Sequence, residues 1–247
     1  MTTARGNDVG FFLHPGNDLQ SRRFLETASK IARSREQCVG MMFDMASVRT
    51  LSGAHVLELY DQWTTHWHAG PYAPGAESPF DIALEGLHRA NFELWHEEDK
   101  ARDVHAGDAV IAAAKRTIDK INQRRNDRME GCDISLLEEL SMAGLPNSQA
   151  ELHSETPGLM LDRLSILSLK RYHTLEEIER DSPPRGHRER NQQRFAILET
   201  QRNNLAECID RLWQRVLHGE GRFQVYRQLK MYNDPDLNPV LYAREDC

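Results

Sequence analysis

Two segments of the chain set polar side chains at helical intervals. In "LHRANFELWHEEDKAR" (87–102), His88, Asn91, Trp95, Asp99 and Arg102 recur every three or four residues, the spacing that gathers side chains on one sector of a helix. In "KINQRRNDRMEG" (120–131), Asn122 and Asn126 stand one turn apart and share a sector with Lys115 and Asp119. Asparagine is a mediocre helix former because its amide competes for nearby backbone groups, so a pair of them on one face invites a reason. Leu87, Leu94 and Ala101 mark the core side of the first segment; Ile111, Ala114, Ile118 and Ile121 mark that of the second. Glu93, Glu97 and Lys100, and likewise Arg116, Lys120, Arg124 and Asp127, mark solvent. The polar rows lie between, where two adjacent helices can wall a cleft.

A third segment, "SETPGLMLDRLSILSLKRYH" (154–173), places Asp162, Arg163 and Lys170 among Leu159, Met160, Leu161, Leu164, Ile166, Leu167 and Leu169. Apolar residues surround this helix, which predicts burial on most sides. Ionic groups there are expensive unless paired or turned to a polar cavity. An Asp–Arg pair tying helices together is one reading, and a ligand site the other. The three stripes together favour a site.

Metal readings fare less well. Glu85 with His88 and Glu93 with His96 have E-x-x-H spacing, but both pairs fall on one helix, whereas di-iron bundles need them on two. Glu176 with Glu179, and Glu207 with Asp210, match the spacing of magnesium-holding carboxylates in all-α nucleotide pyrophosphohydrolases. Among 38 acidic residues such pairs arise easily by chance. Cys38, Cys132, Cys208 and Cys247 lie far apart without a C-x-x-C pair, which argues against a zinc knuckle or disulfide framework. No metal and no other cofactor is expected. Phosphate-cradling glycine motifs and the G-x-S-x-G nucleophile motif are missing. His66 and His68 in "THWH" end a helix, where imidazole suits the dipole, and read as structural. Trp95 and Trp213 sit at spacings that more often mean core than a stacking platform.

The elements that must position these residues are helices. Alternating β-branched runs are nearly absent, and 3.6-residue periodicity dominates. "DLQSRRFLETASKIARSREQ" suggests a first helix and "LSGAHVLELYDQWTTHWH" a second, ended by the proline-rich "AGPYAPGAESP". A long helix follows over about 80–105, then an antiparallel partner over about 108–130. Thr156 and Pro157 form an N-cap and first-turn proline, and "DSPPRG" ends that helix. The last long helix spans about 188–218. The expected fold is all-α, a helical bundle of about six to eight helices. It is expected to be one domain over 1–247, with residues 1–16 free to be flexible.

Composition bounds the function. The 247 residues carry 28% charged and 39% hydrophobic residues with a net charge of −7, and the mean hydropathy is −0.65. That balance disfavours broad binding to nucleic acid or anionic membranes. No segment approaches the roughly 20 apolar residues of a membrane span, and the first residues lack a signal-peptide core. A cytoplasmic location is expected.

With "INQRRNDRME" and the tail "LKMYNDPDLNPVLY" (229–242), these segments resemble the bacterial domain-of-unknown-function 4254 family from about residue 50 onward. One branch of that family is similar to glycosyltransferases of nucleoside-antibiotic biosynthesis, which join an ADP-activated heptose to the exocyclic amine of an adenine nucleotide. The resemblance implies a nucleotide-sugar donor, such as ADP-heptose, and a small acceptor offering an amine or hydroxyl. No nucleic acid polymer is implied, and a homodimer is compatible. Departure of a diphosphate needs fixed positive charge, for which Arg102, Arg125, Arg163 and Lys170 are candidates; Arg125 lies nearer the apolar sector than the asparagine row. Asn91, Asn122 and Asn126 suit sugar hydroxyls or an adenine edge. Asp99 or Glu98 would be the general base, with His96, off the stripe, a weaker catalytic candidate. Trp95 or Tyr232 would stack on a base or sugar. His88, Lys115, Asp119, Glu155, Asp162 and Asn233 complete the expected binding set. Protein cations are expected to do magnesium's work. A non-catalytic scaffold of a glycan or antibiotic pathway and the magnesium pyrophosphohydrolase are the alternatives.

Overall fold

Helix starts follow their capping residues. In the computed structural model, which describes residues 48–70, 75, 78–229 and 236–242, α1 (Gly53–Ala69) begins after Ser52, whose hydroxyl accepts from His55 N. Helix α2 (Pro79–Ala101) begins after Ser78, which accepts from Asp81 N at 3.1 Å. Asp81 is held in turn by Arg49 at 2.8 Å. Helix α4 (Pro157–Glu179) begins after Thr156, which accepts from Leu159 N. Each cap satisfies a first-turn N–H that has no partner within the helix. Between α2 and α4 runs α3 (Asp108–Met142); α5 (His187–Leu217) follows, and a single turn, α6 (Pro239–Tyr242), comes last.

Among the described residues the fold is all-helical, with five long helices and that one short turn. All described residues fall within one compact unit. The helix expected over 18–37 lies outside the described residues. Two-residue strands β1 (Glu151–Leu152) and β2 (Gly221–Arg222) pair in parallel. They tie the α3–α4 loop to the segment after α5, a link too short to leave a sequence signal.

The expectation that α3 ends near Glu130 is corrected: it runs on to Met142. Gly131 does not stop it, because Met129, Cys132, Leu136 and Leu140 extend the buried stripe through the glycine. A Cβ at Gly131 would meet Ala83 only at ordinary contact distance. Helices α2 and α3 pack antiparallel, with Glu93 meeting Arg124 while Gly86 faces Arg128. Helices α4 and α5 do likewise through Arg171–Glu199 and Ser168–Arg202. Helix α4 touches α1, α2, α3 and α5.

Its centrality does not bury it on every side. Met160, Leu161, Leu164 and Leu169 are in the core, but Ile166 and Leu167 are half-buried, and Arg163 and Lys170 are exposed. The premise that those two cations sit on a mostly buried surface is therefore corrected. Only Asp162, 5% exposed, is the buried ion of that segment.

Candidate functional site

A directed hydrogen-bond chain crosses the bundle from α1 to α3. Thr64 Oγ1 donates to the Tyr60 carbonyl at 2.7 Å, spending its only proton. His88 Nε2, 2.8 Å from Thr64 Oγ1 and 3.1 Å from the Tyr60 carbonyl, must therefore carry the donor hydrogen. His88 Nδ1 is then an acceptor and takes the Ser165 hydroxyl at 2.7 Å. Ser165 accepts from the Asn91 amide at 3.0 Å, and the second amide hydrogen goes to Asp162 Oδ1 at 2.9 Å. Arg125 closes the chain side-on, Nε to Oδ1 at 2.7 Å and Nη2 to Oδ2.

Burial explains the ionisation states. His88 is fully buried and stacks on Tyr60 with ring centroids 4.3 Å apart. Desolvation pushes its pKa down to about 3, against a smaller upward pull from the Tyr60 carbonyl, so the ring is neutral. The Asp162 carboxylate raises the pKa of Arg125 through their hydrogen bond, with burial opposing. Arg125 keeps 24% of its side chain exposed against 8% for Asp162. The guanidinium thus bridges a buried anion and an open space.

That space is a cavity of about 490 Å³ between α2, α3 and α4. Leu94, Ile166 and Leu169 supply apolar walls, while Asn91 and Arg125 stand at the polar floor. With both amide hydrogens committed, Asn91 offers a ligand its carbonyl oxygen. Trp95 forms one side and is fixed by stacking on His173 at 4.6 Å and 10°. Glu98, Asp99 and Arg102 also line it. Glu98 is paired with Arg102 at 3.0 Å, whereas Asp99 makes no ion pair among the described residues. One aromatic wall, the locked Arg125 guanidinium, the exposed Arg102 and the Asp99 carboxylate suit a polar, partly anionic small molecule.

The structure thus brings together Asn91, Trp95, Glu98, Asp99, Arg102 and Arg125, with Asp162 beneath and His88 a layer deeper. The asparagine row does not join them. Asn122 and Asn126 are half-buried and line none of the cavities described here, and Lys115 with Asp119 forms an exposed pair at 2.5 Å. The wall of the cleft is Arg125, because α4 packs against the apolar sector and the polar residue nearest that sector reaches it. Glu155, Arg163 and Lys170 line a separate groove of about 600 Å³ between α4 and α5 that shares Ile166 with the cavity. His96 turns instead toward His68 and His173. Tyr232 and Asn233 lie outside the described residues.

Sequence reasoning missed Ser165 and Thr64, which carry the chain between helices. Ser165 lies three residues beyond Asp162 on the buried face, and that spacing was its signal. The paired carboxylates do not converge either. Asp210 accepts from Gly53 N at 2.6 Å, Glu207 pairs with Arg211, and Glu176 meets His173. His88, three residues after Glu85, is used up by Thr64, Tyr60 and Ser165.

A model for a family described as a protein of unknown function, DUF4254, matches residues 82–225, more than half of the chain. The chain belongs to that DUF4254 family. Its matched span contains every element of the cavity: α2 from Ile82, all of α3 and all of α4. No curated protein and no solved structure matches the chain. Among the described residues of this DUF4254 protein, no helix is long and apolar enough to cross a membrane.

Proposed function

We propose that the α2–α3–α4 cavity is the active site of a glycosyltransferase that moves a sugar, in the leading case a heptose, from a nucleotide sugar such as ADP-heptose. The observation that carries the reading is the Arg125 guanidinium, locked side-on by a buried carboxylate at the floor of a cavity walled by Trp95. A guanidinium fixed in advance stabilises charge that develops during reaction without reorganising. In the proposed step the bond from the anomeric carbon to the diphosphate oxygen breaks and the electron pair leaves with the diphosphate. Arg125 and Arg102 balance that charge. The acceptor nitrogen or oxygen bonds to the anomeric carbon, and its proton passes to Asp99. Asp99 is preferred over Glu98 because Glu98 is paired with Arg102. Trp95 stacks on the base or the sugar, and the Asn91 carbonyl accepts from a hydroxyl or an exocyclic amine. Arg163 and Lys170, facing the other groove, take no part in the step.

Supporting this reading are the cavity's size and donor set, together with membership of a family of which one branch is similar to glycosyltransferases; an adenine nucleotide in natural-product biosynthesis is the acceptor in the leading case. The test is calorimetric titration of the purified protein with ADP and ADP-sugars. Binding that Trp95→Ala weakens at least tenfold supports it; absence of heat at millimolar ligand contradicts it.

A further inference from the structure

Three imidazoles converge where the last turn of α1 meets α2 and α4. His68, His96 and His173 each bring a ring nitrogen within 4.8 Å of the other two. His68 Nδ1 lies 2.8 Å from the Thr64 carbonyl, and His173 Nδ1 lies 2.7 Å from Glu176 Oε2. A carbonyl can only accept, and the carboxylate likewise favours a donor. Both rings therefore hold their proton on Nδ1 and present a lone pair at Nε2. Each of those Nε2 atoms is buried with no hydrogen-bond partner in the protein.

Buried acceptors nearly always find a partner. Aromatic packing accounts for the rings but not for these nitrogens. Tyr172 stacks on His68 at 4.5 Å, and Phe92 meets His68 and His96 edge-on at 4.8 and 4.6 Å. With Trp95 on His173, these rings form an apolar collar that holds the imidazole planes.

We infer that His68, His96 and His173 bind one divalent ion of the zinc class, with the Thr64 carbonyl and the Glu176 carboxylate orienting two of the ligands. Neutral imidazole is a preferred ligand of such ions, and a carbonyl or carboxylate behind the ligating ring is the usual support. Zinc–nitrogen bonds of about 2.0–2.1 Å set ligand nitrogens about 3.3 Å apart, so side-chain rotations of roughly 1 Å from the observed spacing would close the set. Three protein ligands leave a further coordination position. His96 also lines the cleft of about 640 Å³ between α2 and α3, with Lys100, Lys120 and Arg124, and that cleft is the entry path. Magnesium, which seeks oxygen ligands, is excluded by the donor set. The inference is independent of the transferase reading, with Trp95 packed between the two sites.

The test uses the full-length protein, stripped with a chelator and titrated with Co²⁺, whose visible absorption reports nitrogen coordination, followed by displacement with Zn²⁺. One ion per chain is expected. His96→Ala and His173→Ala should lower affinity at least ~100-fold, and Glu176→Gln, at a half-exposed side chain, ~10- to 100-fold. His105→Ala, in the α2–α3 connection, should change nothing. Circular dichroism checks folding, and Glu176→Gln keeps the test decisive if a histidine variant fails to fold. Less than one ion per chain at submillimolar Co²⁺, wild-type affinity in Glu176→Gln, or an equal loss in His105→Ala would overturn the inference.

Discussion

Removing either partner of the Arg125–Asp162 pair should have unequal consequences. In Arg125→Met the Asp162 carboxylate, on a side chain 8% exposed, keeps only the Asn91 amide. An uncompensated buried charge of this kind costs about 3–5 kcal/mol. In Asp162→Asn the new amide oxygen still accepts from Arg125 or Asn91, and the guanidinium, 24% exposed, can turn to water. The loss there is one charge-assisted interaction, about 1–2 kcal/mol. The double variant Arg125→Met/Asp162→Asn removes the stranded charge and should be more stable than Arg125→Met alone. Urea denaturation followed by circular dichroism at pH 7, with equal m-values, measures all three. Equal costs for the single variants, or additive costs in the double variant, would refute the claim that Arg125 neutralises a buried anion.

The remaining expectations concern pH and packing. His88, with a folded pKa of about 3 against an ordinary 6.5, adds stability that is complete above pH 6.5 and lost as pH falls toward 3. Between pH 6.5 and 5 this is worth ~2 kcal/mol, and the slope should flatten in His88→Gln; an unchanged slope contradicts it. Asp133 has the opposite sign: burial raises its pKa from 3.8 to about 6, so its contribution is present below pH 4 and lost as pH rises through 6. Asp133→Asn should therefore gain ~3 kcal/mol on wild type between pH 4 and pH 7, measured by parallel urea curves; curves that stay parallel refute this. Gly158→Ala should destabilise by ~1–3 kcal/mol, because a Cβ there collides with the Met129 carbonyl and crowds Asp133 at 2.9 Å; a melting temperature within a degree of wild type would be inconsistent with so close a crossing of α3 and α4.

The helices were readable in the chain because their caps and apolar stripes are local. Thr156–Pro157 announces α4, and the buried Leu, Ile and Ala positions recur at helical spacing. What was hidden depends on which helix packs where. Helix α3 runs past the expected end near Glu130 because the stripe from Met129 to Leu140 has partners that only the packing supplies. The asparagine row looked like a cleft wall because its sector lies between core and solvent, but the cavity opens at the core's edge, where Arg125 meets Asp162. His68, His96 and His173 come from three separate helices with no common spacing. No reading of the chain by period brings them together.

The central claim is that the α2–α3–α4 cavity takes a nucleotide sugar. Its most direct test is a crystal structure of the protein soaked with an ADP-sugar at millimolar concentration. The expected density places the diphosphate within hydrogen-bonding distance of Arg125 and Arg102 and a ring of the ligand against Trp95. Density confined to the groove of Arg163 and Lys170, or a cavity holding only water, would contradict it.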